Sequence, residues 1–138
     1  MLDFSIKQII LLLDNRFDEN WGSQATTTEL VRGLQVTYPE AIITGIRRTE
    51  IRNPKWAFSL GYRWAPLGPK SKWRDPLGKL GTHLLMRSWQ EDLDKAELIV
   101  VNGEGTLHPQ PQAFAWLSII DRIIETKKCP VWIVNSSI

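Results

Sequence analysis

The sequence predicts an α/β fold, a Rossmann-like doubly wound parallel sheet, on three observations. Leu98 to Val101 is a branched apolar run without polar alternation, the pattern of a strand buried on both faces. It breaks directly into a glycine-rich turn, Asn102-Gly103-Glu104-Gly105-Thr106, with a helix-like pattern beyond it. Strand-like and helix-like segments also alternate along the chain, as parallel sheets require. At 138 residues and 15.9 kDa, the chain fits a single domain, 1–138, with a real core.

The elements follow in order. Lys7 to Leu13 is the first strand, closed by Asp14-Asn15. Arg16 to Ser23 reads as a polar loop leading into Asn20-Trp21-Gly22-Ser23-Gln24. A helix is expected from about Ala25 to Thr37. Thr26 and Glu29 have capping-box spacing there, and Leu30, Val31 and Leu34 share a face. Pro39 follows its end. Glycine inside a helix costs about 1 kcal/mol relative to alanine, so Gly33 points to close helix–sheet packing. Ala41 to Ile46 is the second strand. Arg47 to Leu80 has no clean period and holds four of the eight prolines. A helix over about Thr82 to Lys95 leads to the central strand at Leu98. Pro109 and Pro111 introduce the next helix, roughly Gln112 to Lys127, with Ala113, Phe114, Leu117, Ile120 and Ile124 as its apolar stripe. Lys127 and Lys128 sit at its negative dipole end. Val131 to Val134 is the last strand, and Asn135-Ser136-Ser137-Ile138 ends the chain.

Right-handed crossovers would place helices on both faces of the sheet, with the third strand beside the first. The topological switch point then falls between those strands, where open α/β sheets bind ligands at their carboxyl edge. The segments Asp14–Gln24 and Asn102–His108 would open onto one crevice, and Asn135 to Ser137 would reach the same edge.

Composition removes several classes of function. A hydrophobic share of 43% and a charged share of 23% are ordinary for a globular domain. A net charge of +2 demands no polyanionic partner. A lone cysteine, Cys129, allows no internal disulfide framework and fits a reducing compartment. The apolar run Ile9–Leu13 is too short to span a bilayer, and no small-residue cleavage site follows it. The expected location is the cytoplasm.

Candidate chemistry concentrates at two segments. The NGEGT turn places glycines as a phosphate cradle does, but it matches neither G-x-G-x-x-G nor a Walker A loop. Glu104 between two glycines would repel an anion. It suits accepting hydrogen bonds from sugar hydroxyls, or acting as a base on one. The plain alternative is a tight strand–helix turn with a solvated glutamate. Asn20, Trp21, Gly22, Ser23 and Gln24 precede a helix N-terminus, which favours an anion or a hydroxyl-rich ligand, and Trp21 is placed to stack on a sugar ring. The plain alternative there is N-capping plus a packed tryptophan. His108 stands on the ligand side of the sheet, whereas His83 reads as structural. Two distant histidines and one cysteine form no zinc pattern, and no G-x-S-x-G elbow is present, so neither a metal nor a triad is assigned.

The insert, about 47–80, is unusual. Arg47, Arg48, Arg52, Lys55, Arg63, Lys70, Lys72, Arg74 and Lys79 are nine of the 17 basic residues, against Glu50 and Asp75 only. Trp56, Phe58, Tyr62, Trp64 and Trp73 interleave with them. Such a segment can contact an anionic membrane surface, line a carbohydrate site or pack over the sheet edge. Nucleic acid is disfavoured, because no recognised binding module accompanies it.

At these segments the chain resembles the polysaccharide pyruvyl transferase family. That family carries an N-x-G-[D/S/C]-x-A-like loop after its first strand, matched here by Asn20-Trp21-Gly22-Ser23-Gln24-Ala25. Its strand ending in a glycine-rich turn is matched by Val100 to Thr106, and its later strand with a small polar ending by Val131 to Ser136. The resemblance covers most of the chain except the insert. It implies transfer of a pyruvyl group from phosphoenolpyruvate to a sugar, forming a ketal and releasing phosphate, with no cofactor beyond that donor substrate. It also implies a GT-B-like enzyme of two Rossmann-like halves with the active site between them. This chain would be the N-terminal half of a larger two-domain protein, on the acceptor side, with donor-binding basic residues mainly in a missing C-terminal domain.

Glu104 is then expected to orient or deprotonate the acceptor hydroxyl. Asn20, Trp21, Gly22, Ser23, Gln24, Asn102, Gly103, Gly105, Thr106 and His108 are expected to line the cleft. The partner would be a sugar or lipid-linked saccharide acceptor, with the basic insert meeting the inner face of the membrane. Two other readings stay open: a nucleotide-sugar glycosyltransferase of similar architecture, and a non-catalytic module binding a glycan or an anionic headgroup.

Overall fold

Branched apolar residues are densest at Ile9–Leu13 and Leu98–Val101, and these runs build the centre of the sheet. The computed structural model describes residues 5–47, 80, 83–84, 86–104 and 111–135, with side chains from 119 onward in the last segment. Its elements are β1 (Gln8–Leu12), α1 (Trp21–Thr37), β2 (Ile42–Ile46), a 3₁₀ turn (Arg87–Trp89), α2 (Gln90–Lys95), β3 (Leu98–Asn102), α3 (Pro111–Thr126) and β4 (Val131–Val134). The chain divides into two compact units. The first comprises residues 1–50, 91–105 and 129–138, and the second comprises residues 51–90 and 106–128.

The first unit holds a four-stranded, all-parallel sheet in the order β2-β1-β3-β4. The fold is α/β and compatible with a Rossmann-like arrangement, and the third strand lies beside the first as expected. Register sets Ile9 opposite both Ile43 and Leu98, and Leu11 opposite Gly45 and Val100. Strand side chains alternate between faces, so Ile9, Leu11, Leu98 and Val100 share one face. Val31 and Leu34 of α1 pack on that face, with Leu30 and Tyr38 at its margin. Ile10, Leu12, Ile99 and Val101 on the opposite face are buried too. Fully burying each such side chain contributes about 1.5–3 kcal/mol, so β1 and β3 anchor the unit. The edge strands differ: Ile42 on β2 and Trp132 and Ile133 on β4 are exposed. At the amino edge, the Glu97 carboxylate accepts hydrogen bonds from the Lys7 and Gln8 amides, which joins the starts of β1 and β3.

Three local expectations are corrected. Helix α1 begins at Trp21 rather than Ala25, because the Asn20 side chain caps it by accepting from the Gly22 and Ser23 amides. The Thr26–Glu29 capping box therefore does not form. Thr26 lies in the second turn with its hydroxyl on the Gly22 carbonyl, and Glu29 pairs with Arg32 at 3.6 Å on the surface. Gly33 mediates no close packing: it is exposed, and a Cβ there would meet nothing within 4 Å.

The helix expected over Thr82–Lys95 is described as helical backbone at 83, 84 and 86, followed by the 3₁₀ turn and then by α2. Met86 and Trp89 are buried there. On α3, Ile119, Ile120 and Ile123 are buried while Ile124 is exposed, so the apolar stripe does not include residue 124. Helix α3 ends at Thr126, leaving Lys127 and Lys128 just past it. The side chains of Ala113, Phe114 and Leu117 lie outside the described set, as does the insert between Arg47 and Leu80. Among the described residues, no helix is long and apolar enough to cross a membrane.

Candidate functional site

The buried polar residues described in the first unit gather around the carboxyl ends of β1 and β3. Four buried polar or charged residues are described, Asp14, Asn15, Thr27 and Asn102, and all lie at or next to this edge. Among the described residues, two other than glycine adopt left-handed backbone conformations, Leu13 at φ 62° and Asn135 at φ 54°. Each follows directly on a strand, β1 and β4 respectively. Leu13 is fully buried in this conformation, which costs a branched side chain energy and persists only where its surroundings hold it.

Beyond Leu13, the Asp14 amide donates to the Ile46 carbonyl at 3.1 Å, which draws the chain over the end of β2. The Asp14 carboxylate occupies the space that a side chain at residue 45 would need, so only glycine fits there. Arg16 clasps the same carboxylate through Nε at 3.0 and 3.2 Å and Nη2 at 2.8 Å. That side-on hydrogen bonding raises the Arg16 pKa further above its ordinary value, against the opposing effect of burial, with the Asp14 charge adding to the rise. Arg16 and Arg47 both approach the exposed Phe17 ring, at 5.7 and 4.1 Å from its centroid.

Asn102 is the junction of the edge. It is fully buried at the end of β3. Its Nδ2 donates to Thr27 Oγ1 of α1 at 2.9 Å and to the Leu13 carbonyl at 3.4 Å. Its Oδ1 accepts from Asn135 Nδ2 at 3.2 Å. One carboxamide thus holds both left-handed residues and ties β1, α1 and β4 to β3. Gly103 continues the pairing, its amide donating to the Val134 carbonyl at 2.8 Å.

Glu104 comes next and is half-buried, with Oε2 shielded from solvent. Thr26 Oγ1 lies 3.2 Å from Glu104 Oε1 and 2.9 Å from the Gly22 carbonyl. Adjacent threonines of α1 therefore hold the two ends of Asn102-Gly103-Glu104. The arrangement presents a carboxylate of restrained position at the carboxyl edge, directly after a central strand, and a carboxylate so placed can accept a proton from a ligand hydroxyl.

The remaining residues singled out in the sequence fall as follows. Asn20 spends its side-chain oxygen on the cap, and Gln24 donates its Nε2 to the Asp18 carbonyl. Gly22 and Ser23 form the first turn of α1, and Trp21 beside them is 85% exposed. Gly105, Thr106 and His108 lie outside the described residues, and so do Ser136 and Ser137. His83 is exposed. The sequence placed the segment Asp14–Gln24 at this edge without singling out Asp14 or Arg16, and gave no place there to Thr26, Thr27 or Gly45. A polar residue closing an apolar strand was the available signal for Asn102 and Asp14. No signal of that kind marks the threonines, whose contacts join residues 75 to 78 positions apart. Among the described residues, no three His, Cys, Asp or Glu side chains come together as a metal site. No protein-family model, curated protein or solved structure matches the chain.

Proposed function

We propose that this chain supplies the acceptor-sugar side of a polysaccharide pyruvyl transferase with GT-B-like architecture. The supporting observation is the restrained carboxylate of Glu104, positioned by Thr26 at the switch point between β1 and β3. Asn102, in the second of the segments that carry the family resemblance, bonds Asn135 in the third and Thr27, two residues past the first. Exposed Trp21 in the first turn of α1 offers a flat apolar surface of the kind sugar rings stack on.

In the proposed reaction, two hydroxyls of one sugar add to C2 of phosphoenolpyruvate. The methylene carbon takes up the equivalent of one of the two hydroxyl protons and becomes a methyl group, the C2–O bond to phosphate breaks, the other proton leaves on the phosphate, and a ketal and inorganic phosphate result. Glu104 accepts the proton of an attacking hydroxyl. Phosphoenolpyruvate is the donor substrate, and the acceptor is a sugar or lipid-linked saccharide.

Phosphate release by the natural gene product, supplied with phosphoenolpyruvate and a panel of methyl glycosides, tests this reading. Saccharide-dependent release is expected to fall by about 10²–10⁴-fold in Glu104→Gln, the scale of a lost general base. The melting temperature of that variant is expected to stay nearly unchanged. Saccharide transfer from a nucleotide sugar with no response to phosphoenolpyruvate would favour a glycosyltransferase instead. Equal loss of folding and activity would remove the catalytic role of Glu104.

A further inference from the structure

Thr26 has a single hydroxyl proton and two acceptors within reach, the Gly22 carbonyl at 2.9 Å and Glu104 Oε1 at 3.2 Å. While Glu104 is charged, that single proton is divided between the two acceptors, and neither contact has a full hydrogen bond of its own. Once Glu104 has taken up a proton, the carboxyl becomes the donor. A chain then forms from the Glu104 carboxyl to Thr26 Oγ1 and on to the Gly22 carbonyl, and both short contacts are satisfied together. The same heavy-atom positions serve both proton states, so gain of a proton demands no movement of the carboxylate. The neighbouring bond from Asn102 Nδ2 to Thr27 Oγ1, 2.9 Å long and fully buried, holds α1 in register with β3 and keeps this contact in place.

We propose that Thr26 is the positioning residue of Glu104 in both its proton states, donor to the carboxylate and acceptor from the protonated carboxyl. This rests on the reading of Glu104 as the base that deprotonates the acceptor hydroxyl. Thr26 contributes no atom to the reacting groups. It fixes where the carboxylate stands and provides a hydrogen-bond acceptor for the proton that Glu104 gains.

The test uses NMR on the full chain, labelled with ¹³C and ¹⁵N, at a fixed neutral pH. Thr26→Val keeps the branched shape and removes the hydroxyl, and Thr26→Ser restores it. In Thr26→Val the Glu104 side-chain carboxyl resonance is expected to move while the Asn102 side-chain amide signals stay in place. Thr26→Ser is expected to return it. The acceptor role is read in Glu104→Gln, where the new carboxamide protons stand in for the carboxyl proton. Their resonances are expected to differ between Glu104→Gln and the double variant Glu104→Gln/Thr26→Val. An unmoved carboxyl resonance in Thr26→Val, or identical carboxamide resonances in the two backgrounds, overturns the proposal.

Kinetics give a separate readout. Thr26→Val is expected to lower kcat by about 10- to 100-fold, as loss of a hydrogen bond to a charged group does, with KM changed by less than about twofold. Thr26→Ser is expected to recover most of that loss. A wild-type kcat in Thr26→Val also overturns the proposal. The spectra need no transfer reaction. If Glu104→Gln keeps full transfer activity, the base reading fails while the Thr26 contact is still judged by the resonances.

Discussion

A carboxylate fills the space beside Gly45 that any side chain would require. A Cβ at that position would stand 2.8 Å from Asp14 Cγ and 3.0 Å from Asp14 Cβ, with the carboxylate oxygen Oδ2 closer still. Asp14 has little freedom to yield, because Arg16 grips both of its oxygens and its own amide is tied to the Ile46 carbonyl. Gly45→Ala is therefore expected to destabilise the fold by about 1–3 kcal/mol, the cost of overpacking a tight interior. Urea denaturation of Gly45→Ala, Asp14→Ala and the double variant measures it. The double variant should lose less than the sum of the two, since removing the carboxylate vacates the contested space. Additive losses would mean that the two residues do not compete. Asn102 shows the same logic with opposite polarity. A buried carboxamide is stable there because both of its donor protons and its oxygen have partners.

Helix α1 acquires its start from one side chain. Asn20 accepts from two first-turn amides, and its carbonyl accepts from the Gln24 amide at 3.0 Å. Asn20→Ala is expected to cost about 1 kcal/mol, and Asn20→Asp or Asn20→Ser, which keep a capping oxygen, to cost much less. Thermal unfolding of the three variants checks this, and equal losses would show that Asn20 serves the fold by some other route. The sequence allowed two starts for this helix. One was the capping-box spacing of Thr26 and Glu29, and the other was a polar Asn-Trp-Gly-Ser stretch that reads equally as a loop. Both satisfy local rules, so local rules could not choose between them. The earlier start adds a turn to the helix and turns Thr26 from a cap into an interior residue one helical turn past Gly22, facing Glu104.

The first unit has a graded sheet. Every residue of β3 is buried, and so are residues 9 to 12 of β1, whereas β2 and β4 each have one partner strand and exposed apolar side chains. Amide exchange is governed by local opening, which is rarest where hydrogen bonds and burial coincide. Hydrogen-exchange mass spectrometry is expected to find peptides covering residues 9–12 and 98–102 slowest. Peptides covering 131–134 should exchange at least about tenfold faster, a difference of roughly 1.4 kcal/mol in opening free energy. Protection of β4 equal to that of β3 would show that the edge strand is covered.

The sequence by itself determined the alternation of strands and helices, the limits of each strand to within about two residues, and the placement of β1 and β3 in the interior. Those features follow from apolar periodicity and from the length of each run, which are local properties. It also placed Glu104 in a turn directly after the central strand β3. Tertiary structure alone decided which polar residues gather there. Asp14 lies beside Gly45, Thr27 meets Asn102, and Thr26 meets Glu104 through contacts between residues tens of positions apart. Hydrogen-bond geometry of this kind is set by sheet register and helix phase together, and one residue's change in either would point these side chains elsewhere. For that reason the carboxylate was legible in the sequence, and the residues that hold it were not.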